Sequence, residues 1–260
     1  MKYRVWFISC WRVNLKKIDL HIHTSLSACG ADEMSPSQVM EQASEKGLNL
    51  IAITDHNAIK HALLACHLSR RWSVNVIPAV ELTSREEVHL LAYFEKADAL
   101  KELGILIEHT LPKIDNKPSF FGYQVEYNLE GEIIALDQRL RQSALNVSLD
   151  DLVQKIHELQ GMAIPAHVDR KKFGLINQLG FVDSQASYNA IEVSKYKWNK
   201  NRYHLGDLLA GFPVISGSDS HFLDDIGLFY METGDHLTDY FSLKSVLKRF
   251  KNENNSRSSL

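Results

Sequence analysis

The sequence predicts an α/β protein whose core is a mainly parallel sheet, folded as a single barrel-like domain. Short runs rich in valine, isoleucine and leucine recur along the 260 residues, and helix-like segments separate several of them. Nearly continuous apolar runs are typical of strands covered on both faces, as in a parallel sheet. Because an α/β barrel takes about 250 residues, the length favours one large core. The runs are KIDLHIH, NLIAITDH, NVIPAVELT, EVHLLAYF, GMAIPAH, NAIEVSK and FPVISGSDSH.

Two of the intervening segments carry the signals that begin and end helices. In SPSQVMEQASEKG, Ser35 can cap a helix whose first residue is Pro36, and Gly47 can end it in a left-handed conformation. In SLDDLVQKIHELQG, Ser148 can cap and Gly161 can stop a second helix. Both helices lie between apolar runs, as connections between parallel strands would.

Residues 95–147 interrupt this alternation. A helical stretch is followed by LPKIDNKPSFFGYQ and then by VEYNLEGEIIAL, whose alternation around a glycine-containing turn predicts a hairpin. We expect this segment to be an insertion that caps one face of the barrel. The predicted domain therefore spans residues 17–260, and residues 1–16 form an N-terminal extension.

Composition narrows the class of protein. Hydrophobic residues make up 45% and charged residues 23%, the balance of a water-soluble globular protein, and a net charge of −3 does not favour a nucleic-acid partner. Three scattered cysteines predict no disulfide framework, which favours the cytoplasm. We expect no membrane partner, because no apolar run approaches the roughly 20 residues that span a bilayer and the apolar N-terminal segment lacks a signal-peptide cleavage site. Oligomeric state does not follow from the sequence.

Every apolar run also carries a side chain that can bind a metal ion, usually where the predicted strand ends. These side chains are His21, His23, Asp55, His56, Glu81, His89, His167, Glu192, Asp219 and His221. Because side chains on a strand alternate between faces, the H-x-H pair and the D-x-H pair each direct two groups the same way. The carboxyl ends of the strands surround the active site in parallel α/β barrels. We therefore expect both pairs to face one cavity.

A metal centre explains this joint pattern better than separate structural roles do. A single histidine late in a strand is more often a hydrogen-bonded core residue. Burying several imidazoles and carboxylates together without a cation, however, leaves polar groups unsatisfied and charges uncompensated. Divalent cations remove that cost by binding neutral imidazole and ionised carboxylate. The pattern therefore predicts a divalent metal site.

Six of these motifs, in this order, resemble the polymerase and histidinol phosphatase (PHP) superfamily of metal-dependent phosphoesterases. They are DLHIHT, ITDHN, VELT, EVHLL, IPAH and SDSH, and the resemblance covers roughly residues 18–94 and 160–225. It implies a distorted (β/α)7 barrel, similar to a TIM barrel, that holds up to three divalent metal ions. A mixed set of histidine and carboxylate ligands suits zinc, manganese or iron better than calcium.

The resemblance also implies a ligand set for each ion. The first ion takes His21, His23, Glu81 and Asp219; the second takes His56, His221 and a residue from the loop after the first strand; the third shares Glu81 and takes His89 and His167. For the loop ligand, within SLSACGADEMSP, we predict Asp32, with Glu33 and Cys29 as alternatives. Asp55 and Glu192 are expected to support the ligands by fixing histidine ring tautomers.

A phosphate group also needs positive protein charge beside the metal ions. Arg170 in AHVDRKKFG and Lys195 in EVSKYK follow predicted strand ends, and we predict that both reach the phosphate. An arginine there would bind two phosphate oxygens at once. The alternative for each is a solvated loop charge.

The resemblance implies hydrolysis of phosphate esters by a metal-activated water. We expect a phosphomonoesterase or phosphodiesterase that acts on a small phosphorylated metabolite or nucleotide, with residues 95–147 limiting the size of the substrate. Two alternatives remain: a nuclease that acts on oligonucleotide ends, and a non-catalytic, metal-stabilised module that binds a phosphorylated ligand. An amidohydrolase fits less well, because Glu81 fits the bridging role that a lysine usually has in those barrels.

Overall fold

The computed structural model describes residues 15–201, 209, 211–234 and 236–257, so most of the predicted N-terminal extension lies outside the described residues. The strands are β1 (Lys16–Ile22), β2 (Leu50–Ile53), β3 (Asn75–Val76), β4 (Ala79–Thr83), β5 (His89–Tyr93), β6 (Val125–Tyr127), β7 (Ile133–Leu136), β8 (Met162–Pro165), β9 (Ile191–Glu192), β10 (Val214–Ile215) and β11 (Met231–Thr233). The α-helices are α1 (Pro36–Glu45), α2 (Lys60–Leu68), α3 (Ala97–Thr110), α4 (Pro118–Phe121), α5 (Leu149–Glu158), α6 (Leu175–Leu179), α7 (Lys195–Asn201) and α8 (Tyr240–Arg257). Within these ranges, no helix has both the length and the apolar character that crossing a bilayer requires.

The first sheet contains the strands that carry the first two motifs. Its order is β11-β1-β2-β3, with β1, β2 and β3 parallel and β11 antiparallel at one edge. Helix α1 connects β1 to β2, and Ser35 caps it by accepting a hydrogen bond from the backbone N–H of Gln38. Ser148 caps α5 in the same way through the N–H of Asp151. Both predicted helix starts, and the parallel pairing of the first strands, are confirmed.

The predicted (β/α)7 barrel, in contrast, is wrong. Among the described residues the strands form four small sheets, none of which closes into a barrel. Strands β4, β5 and β8 form an antiparallel sheet, whereas β9 and β10 form a separate parallel pair. The physical reason lies partly in the short connection between β4 and β5. Only residues 84–88 separate them, which suffices for a hairpin but not for the helical crossover that parallel neighbours need.

Isolated bridges between these sheets bring the polar strand ends together. Ile22, at the end of β1, is bridged in parallel to Ser220, and His56, just after β2, is bridged in parallel to Glu81 on β4. The strand ends therefore meet although the sheets do not close, and this meeting point is where the metal-competent side chains lie.

The predicted hairpin in residues 95–147 is confirmed as the antiparallel pair β6 and β7. The segment that contains it packs on the loop after β1. Gly122, at φ 102°, lies so close to this loop that a Cβ would stand 2.1 Å from the carbonyl oxygen of Ala28. The N–H of Val125 donates to the carbonyl of Ser25 at 2.8 Å. The segment is therefore held directly against the loop that follows the first histidine pair.

Candidate metal centre

The carboxylate of Glu81, on β4, lies at the centre of five imidazole rings and is fully buried. The distances are 3.0 Å from Oε1 to His89 Nδ1, 3.3 Å from Oε1 to His167 Nε2, 3.4 Å from Oε1 to His21 Nε2, 2.9 Å from Oε2 to His56 Nδ1 and 3.3 Å from Oε2 to His23 Nε2. These rings come from four motifs, DLHIHT, ITDHN, EVHLL and IPAH, which are brought together because the sheets meet here. The five imidazoles and the central carboxylate are called the Glu81 cluster below.

Asp219 adds a second carboxylate beside the Glu81 cluster. Its Oδ1 lies 3.1 Å from His23 Nε2 and 3.5 Å from His21 Nε2. The same oxygen lies 3.7 Å from His221 Nδ1. The H-x-H and D-x-H pairs therefore face one cavity, as predicted, but Asp219 and His221 lie beyond the end of β10 (Val214–Ile215), so strand alternation does not account for the second pair. The backbone of Asp219 is left-handed, with φ 50°, a conformation that costs about 1–3 kcal/mol outside glycine and is often found at functional sites.

Hydrogen bonds behind the rings fix the tautomers of His21 and His23. His21 Nδ1 donates to Glu192 Oε2 at 2.9 Å. His23 Nδ1 lies 3.1 Å from Ser27 Oγ, and Ser27 donates its own proton to Asp55 Oδ1 at 2.7 Å, so the ring is the donor to Ser27. Each ring therefore turns Nε2 towards the cavity, where that nitrogen is placed to bind a metal ion. Glu192 acts directly and Asp55 acts through Ser27, a residue that no pattern in the sequence singled out.

The unpaired atoms of this site fit a divalent cation. The Nε2 atoms of His21 and His23 face each other at 3.2 Å across the cavity. Both carboxylate oxygens of Glu81 and Nδ1 of His56 are buried, and although these atoms lie close to one another, the geometry of their contacts gives none of them a hydrogen bond. Three groups of side chains have ligand atoms within 4.8 Å of one another: His23, His56 and His221; His21, His23 and Glu81; His56, Glu81 and His89. Imidazole nitrogen and carboxylate oxygen together suit zinc, manganese and iron.

Electrostatics keep the two carboxylates ionised. Burial opposes ionisation of Glu81, yet the rings of His89 and His21 hold the pKa of its carboxyl well below its usual value. Burial also opposes charge on Asp219, and the His21 ring again holds the pKa of that carboxyl well below its usual value. Burial lowers the pKa of His89 to about 3, although the neighbouring Glu81 carboxylate acts in the opposite direction.

Of the two cations predicted to reach a phosphate, Arg170 lies at the site. Its guanidinium Nη2 contacts Asp219 Oδ2, and its side chain is 40% exposed, so it borders both the carboxylate and solvent. Lys195 begins α7, and its ammonium lies 5.9 Å from the ring centroid of Tyr196. Among the described contacts, none joins Lys195 to the Glu81 cluster or to Asp219.

Phe173 packs against His89 at the site, although no sequence pattern points to it. Its ring stacks on that of His89, with centroids 4.4 Å apart and planes at 10°. Its carbonyl accepts a hydrogen bond from the His89 N–H at 3.0 Å. Its φ of 60° is a rare conformation for a bulky side chain, so the surrounding structure holds this ring in place at an energetic cost.

The loop after β1 presents a different side chain from the one predicted. Asp32 and Glu33 are exposed, and the described contact of Asp32 is through its carbonyl, which accepts from the hydroxyl of Tyr127 at 2.8 Å. Cys29 instead lies against the rings of His56 and His221. Burial opposes ionisation of the Cys29 thiol, but these two rings lower its pKa to about 5. The structure thus brings Cys29, and not Asp32, to the histidines.

His61 links the site to the hairpin of residues 95–147. The His61 side chain, on α2, is fully buried. Thr24 Oγ1 donates to Asp55 Oδ2 at 2.6 Å and therefore accepts from His61 Nδ1 at 2.7 Å. The other ring nitrogen, Nε2, accepts from the N–H of Tyr127 at 3.0 Å. The bond to Nε2 requires a neutral ring, because a protonated Nε2 cannot accept.

This arrangement predicts a loss of stability in mild acid. Burial lowers the pKa of His61 to about 4 from its usual 6.5. Below pH 6.5 this histidine is therefore protonated in the unfolded chain, whereas it stays neutral in the folded chain down to about pH 4. Between pH 7.5 and pH 5 we expect this one group to reduce the free energy of unfolding by about 2 kcal/mol. The measurement is urea unfolding of the wild type and of His61→Gln at several pH values. The wild type should lose about 2 kcal/mol more than the variant, and parallel pH profiles would contradict the expectation.

The sequence matches a family model and is similar to several known proteins. The family model described as PHP domain matches residues 19–171, which is more than half of the chain. The uncharacterized protein MJ1587 of Methanocaldococcus jannaschii is 32% identical over 106 residues, which are 38% of this chain and 60% of that protein. The phosphoribosyl 1,2-cyclic phosphate 1,2-diphosphodiesterase of Eggerthella lenta is 29% identical over 96 residues, which are 37% of this chain and 33% of that enzyme.

Among solved structures, the lesion-specific endonuclease Q of Pyrococcus furiosus is similar in fold. The TM-score is 0.64 at 18% identity, and the match covers 90% of this chain and 56% of the endonuclease. All three matches therefore leave a large part of the relative uncovered.

Proposed function

Because the chain belongs to the PHP domain family, we propose that it is a metal-dependent phosphoesterase, either a phosphomonoesterase or a phosphodiesterase, that acts on a small phosphorylated metabolite or nucleotide. The observation that carries the proposal is the buried Glu81 carboxylate among five imidazoles, with neither oxygen hydrogen-bonded. A buried carboxylate without hydrogen bonds destabilises a protein core, whereas beside a divalent cation the same carboxylate serves as a ligand.

The residues proposed to hold the ions are those implied by the motifs. Up to three divalent ions, of zinc, manganese or iron, would share the Glu81 cluster, Asp219 and His221, with Glu81 placed between the ligand groups. Bound there, divalent ions would lower the pKa of a water toward neutrality and neutralise charge on the oxygens of the ester. Glu192 and Ser27 hold His21 and His23 in the tautomer that leaves Nε2 free.

Arg170 is proposed to bind the phosphate group. Its contact with Asp219 places the guanidinium at the edge of the cluster, and its exposed fraction of 40% leaves it open to an incoming anion. A planar guanidinium can bind two phosphate oxygens at once. Lys195, which makes no described contact with the cluster, would need a different side-chain position to reach the same group.

Residues 95–147 are proposed to limit substrate size from above the loop that follows β1. Two contacts support this role: the hydrogen bond from Val125 to Ser25 and the close approach of Gly122 to Ala28. A small substrate also agrees with the name of the Eggerthella lenta relative, and the net charge of −3 argues against a long nucleic acid. The endonuclease Q likeness keeps oligonucleotides among the substrates to be tested.

The test is a substrate panel on protein purified without chelator, with metal content measured on the same sample. The panel contains sugar phosphates, cyclic phosphates, nucleotides and short oligonucleotides. We expect hydrolysis of at least one small ester, a fall of at least about 100-fold after chelation, and recovery with zinc, manganese or iron. Hydrolysis of oligonucleotides alone would favour a nuclease, and metal-loaded protein that binds nucleotides without hydrolysing them would favour a binding module.

A matched pair of variants tests whether bound metal depends on a histidine of the site and not on a histidine elsewhere. His23→Ala removes a buried ring of the cluster, whereas His67→Ala removes an exposed ring on α2. Elemental analysis should show less metal per chain for His23→Ala and an unchanged content for His67→Ala. Equal metal content in both would overturn the proposed ligand role of His23.

A further inference from the structure

The backbone of the loop after β1 holds Cys29 in one place. The N–H of Ser27 donates to the carbonyl of Thr24 at 3.1 Å, and the N–H of Gly30 donates to that of Ser27 at 2.8 Å. A Cβ on Gly30 would stand 2.2 Å from the Thr24 carbonyl oxygen, so the turn can close only with glycine there. The N–H of Ala31 then donates to the carbonyl of His221 at 2.9 Å. Cys29 is thus fixed beside the segment that carries His221.

Three histidine side chains near Cys29 could bind one metal ion, and such an ion would take a fourth ligand. The ring nitrogens of His23, His56 and His221 lie within 4.8 Å of one another. His56 is only 6% exposed, and its Nδ1 lies 2.9 Å from Glu81 Oε2, so the same ring contacts both Glu81 and Cys29. The Cys29 thiol lies against His56 and His221, whereas the two acidic residues of the same loop are exposed. A divalent ion such as zinc takes four ligands, and thiolate sulfur with imidazole nitrogen is a common combination.

We propose that Cys29 is a thiolate ligand of the metal ion held by His56 and His221, at the position where the sequence predicted Asp32. The inference rests on the proposed metal-dependent function, because it concerns one of the same ions. Thiolate is a soft ligand, so this ion should be zinc in preference to manganese. Substrate turnover would then depend on a reduced, unmodified Cys29.

Cobalt substitution tests the proposal through a spectroscopic signal that does not depend on activity. A thiolate bound to Co²⁺ gives an intense near-ultraviolet charge-transfer band that imidazole and carboxylate ligands do not give. The full-length wild-type protein, stripped of metal and loaded with Co²⁺, should show this band. Cys29→Ser should lose it and should bind zinc at least about tenfold more weakly. Cys66→Ser is the matched control: burial raises the pKa of its thiol to about 12, and we expect the band to persist.

A second variant guards against loss of folding. Cys29→Asp supplies a carboxylate at the same position, so it should bind Co²⁺ without the charge-transfer band and should shift metal preference from zinc towards manganese. Cobalt-loaded wild type without the band, or a band that persists in Cys29→Ser, would overturn the role of Cys29 and leave the proposed hydrolysis standing. Wild type that binds no divalent ion would overturn both.

Discussion

Replacing Glu81 with glutamine is expected to remove most of the bound metal and to lower phosphate-ester hydrolysis by about 1000-fold. The side chain keeps its size but loses the charge that contacts five imidazoles at 2.9–3.4 Å. An amide offers one oxygen and two N–H donors, and the donors would face ring nitrogens and cations. A loss of roughly 4 kcal/mol in transition-state stabilisation corresponds to this rate change. Elemental analysis and steady-state kinetics on one preparation provide the measurement.

Glu87→Gln is the matched control for this substitution. Glu87 lies in the short connection between β4 and β5 and is exposed, so the same chemical change there should leave metal content and rate near those of the wild type. Circular dichroism would confirm that both variants are folded. Full metal content and near-normal hydrolysis in Glu81→Gln would rule out a bridging role for this carboxylate.

Replacing Arg141 with methionine is expected to lower the free energy of unfolding by about 3 kcal/mol. The guanidinium is 7% exposed, and its Nε donates to Asp137 Oδ2 at 2.7 Å. Its Nη1 donates to the Asn57 carbonyl at 3.2 Å and to the Glu108 carboxylate. Removing one partner of a buried pair leaves the other charge uncompensated, at a cost of about 3–5 kcal/mol. We take the lower end because the Glu108 side chain is 54% exposed.

The control for Arg141 is an ion pair on the surface. Lys155 Nζ lies 3.9 Å from Glu158 Oε2, and both side chains are partly or largely exposed. Lys155→Met should therefore change the free energy of unfolding by less than about 1 kcal/mol. Chemical denaturation of the wild type and the two variants gives the comparison. Equal free energies of unfolding for the two variants would show that the Arg141 contacts do not stabilise the fold.

Because Asn57 follows His56, we also expect Arg141→Met to weaken metal binding.

Some features of this protein follow from local sequence. The alternation of side chains along β1 predicted that His21 and His23 face one cavity, and they do. Ser35 and Ser148 marked the starts of two helices, because capping depends only on residues within one turn. The motif order was also sufficient to identify the PHP family, which the family model confirms. The histidine pair and the helix caps depend on residues close together along the chain, and the family identification depends on the order of short motifs along it.

Other features were decided only by contacts between distant residues. The pairing of β5 with β8, across about 70 residues, replaced the predicted barrel with small mixed sheets. The turn at Gly30 directed Cys29 towards His56 and left Asp32 in solvent, which spacing along the loop could not reveal. The buried position of His61 depends on Thr24 on one side and Tyr127 on the other. Local sequence thus determined which side chains could bind metal, whereas tertiary structure decided which of them meet, because burial and hydrogen-bond partners are set by the path of the whole chain.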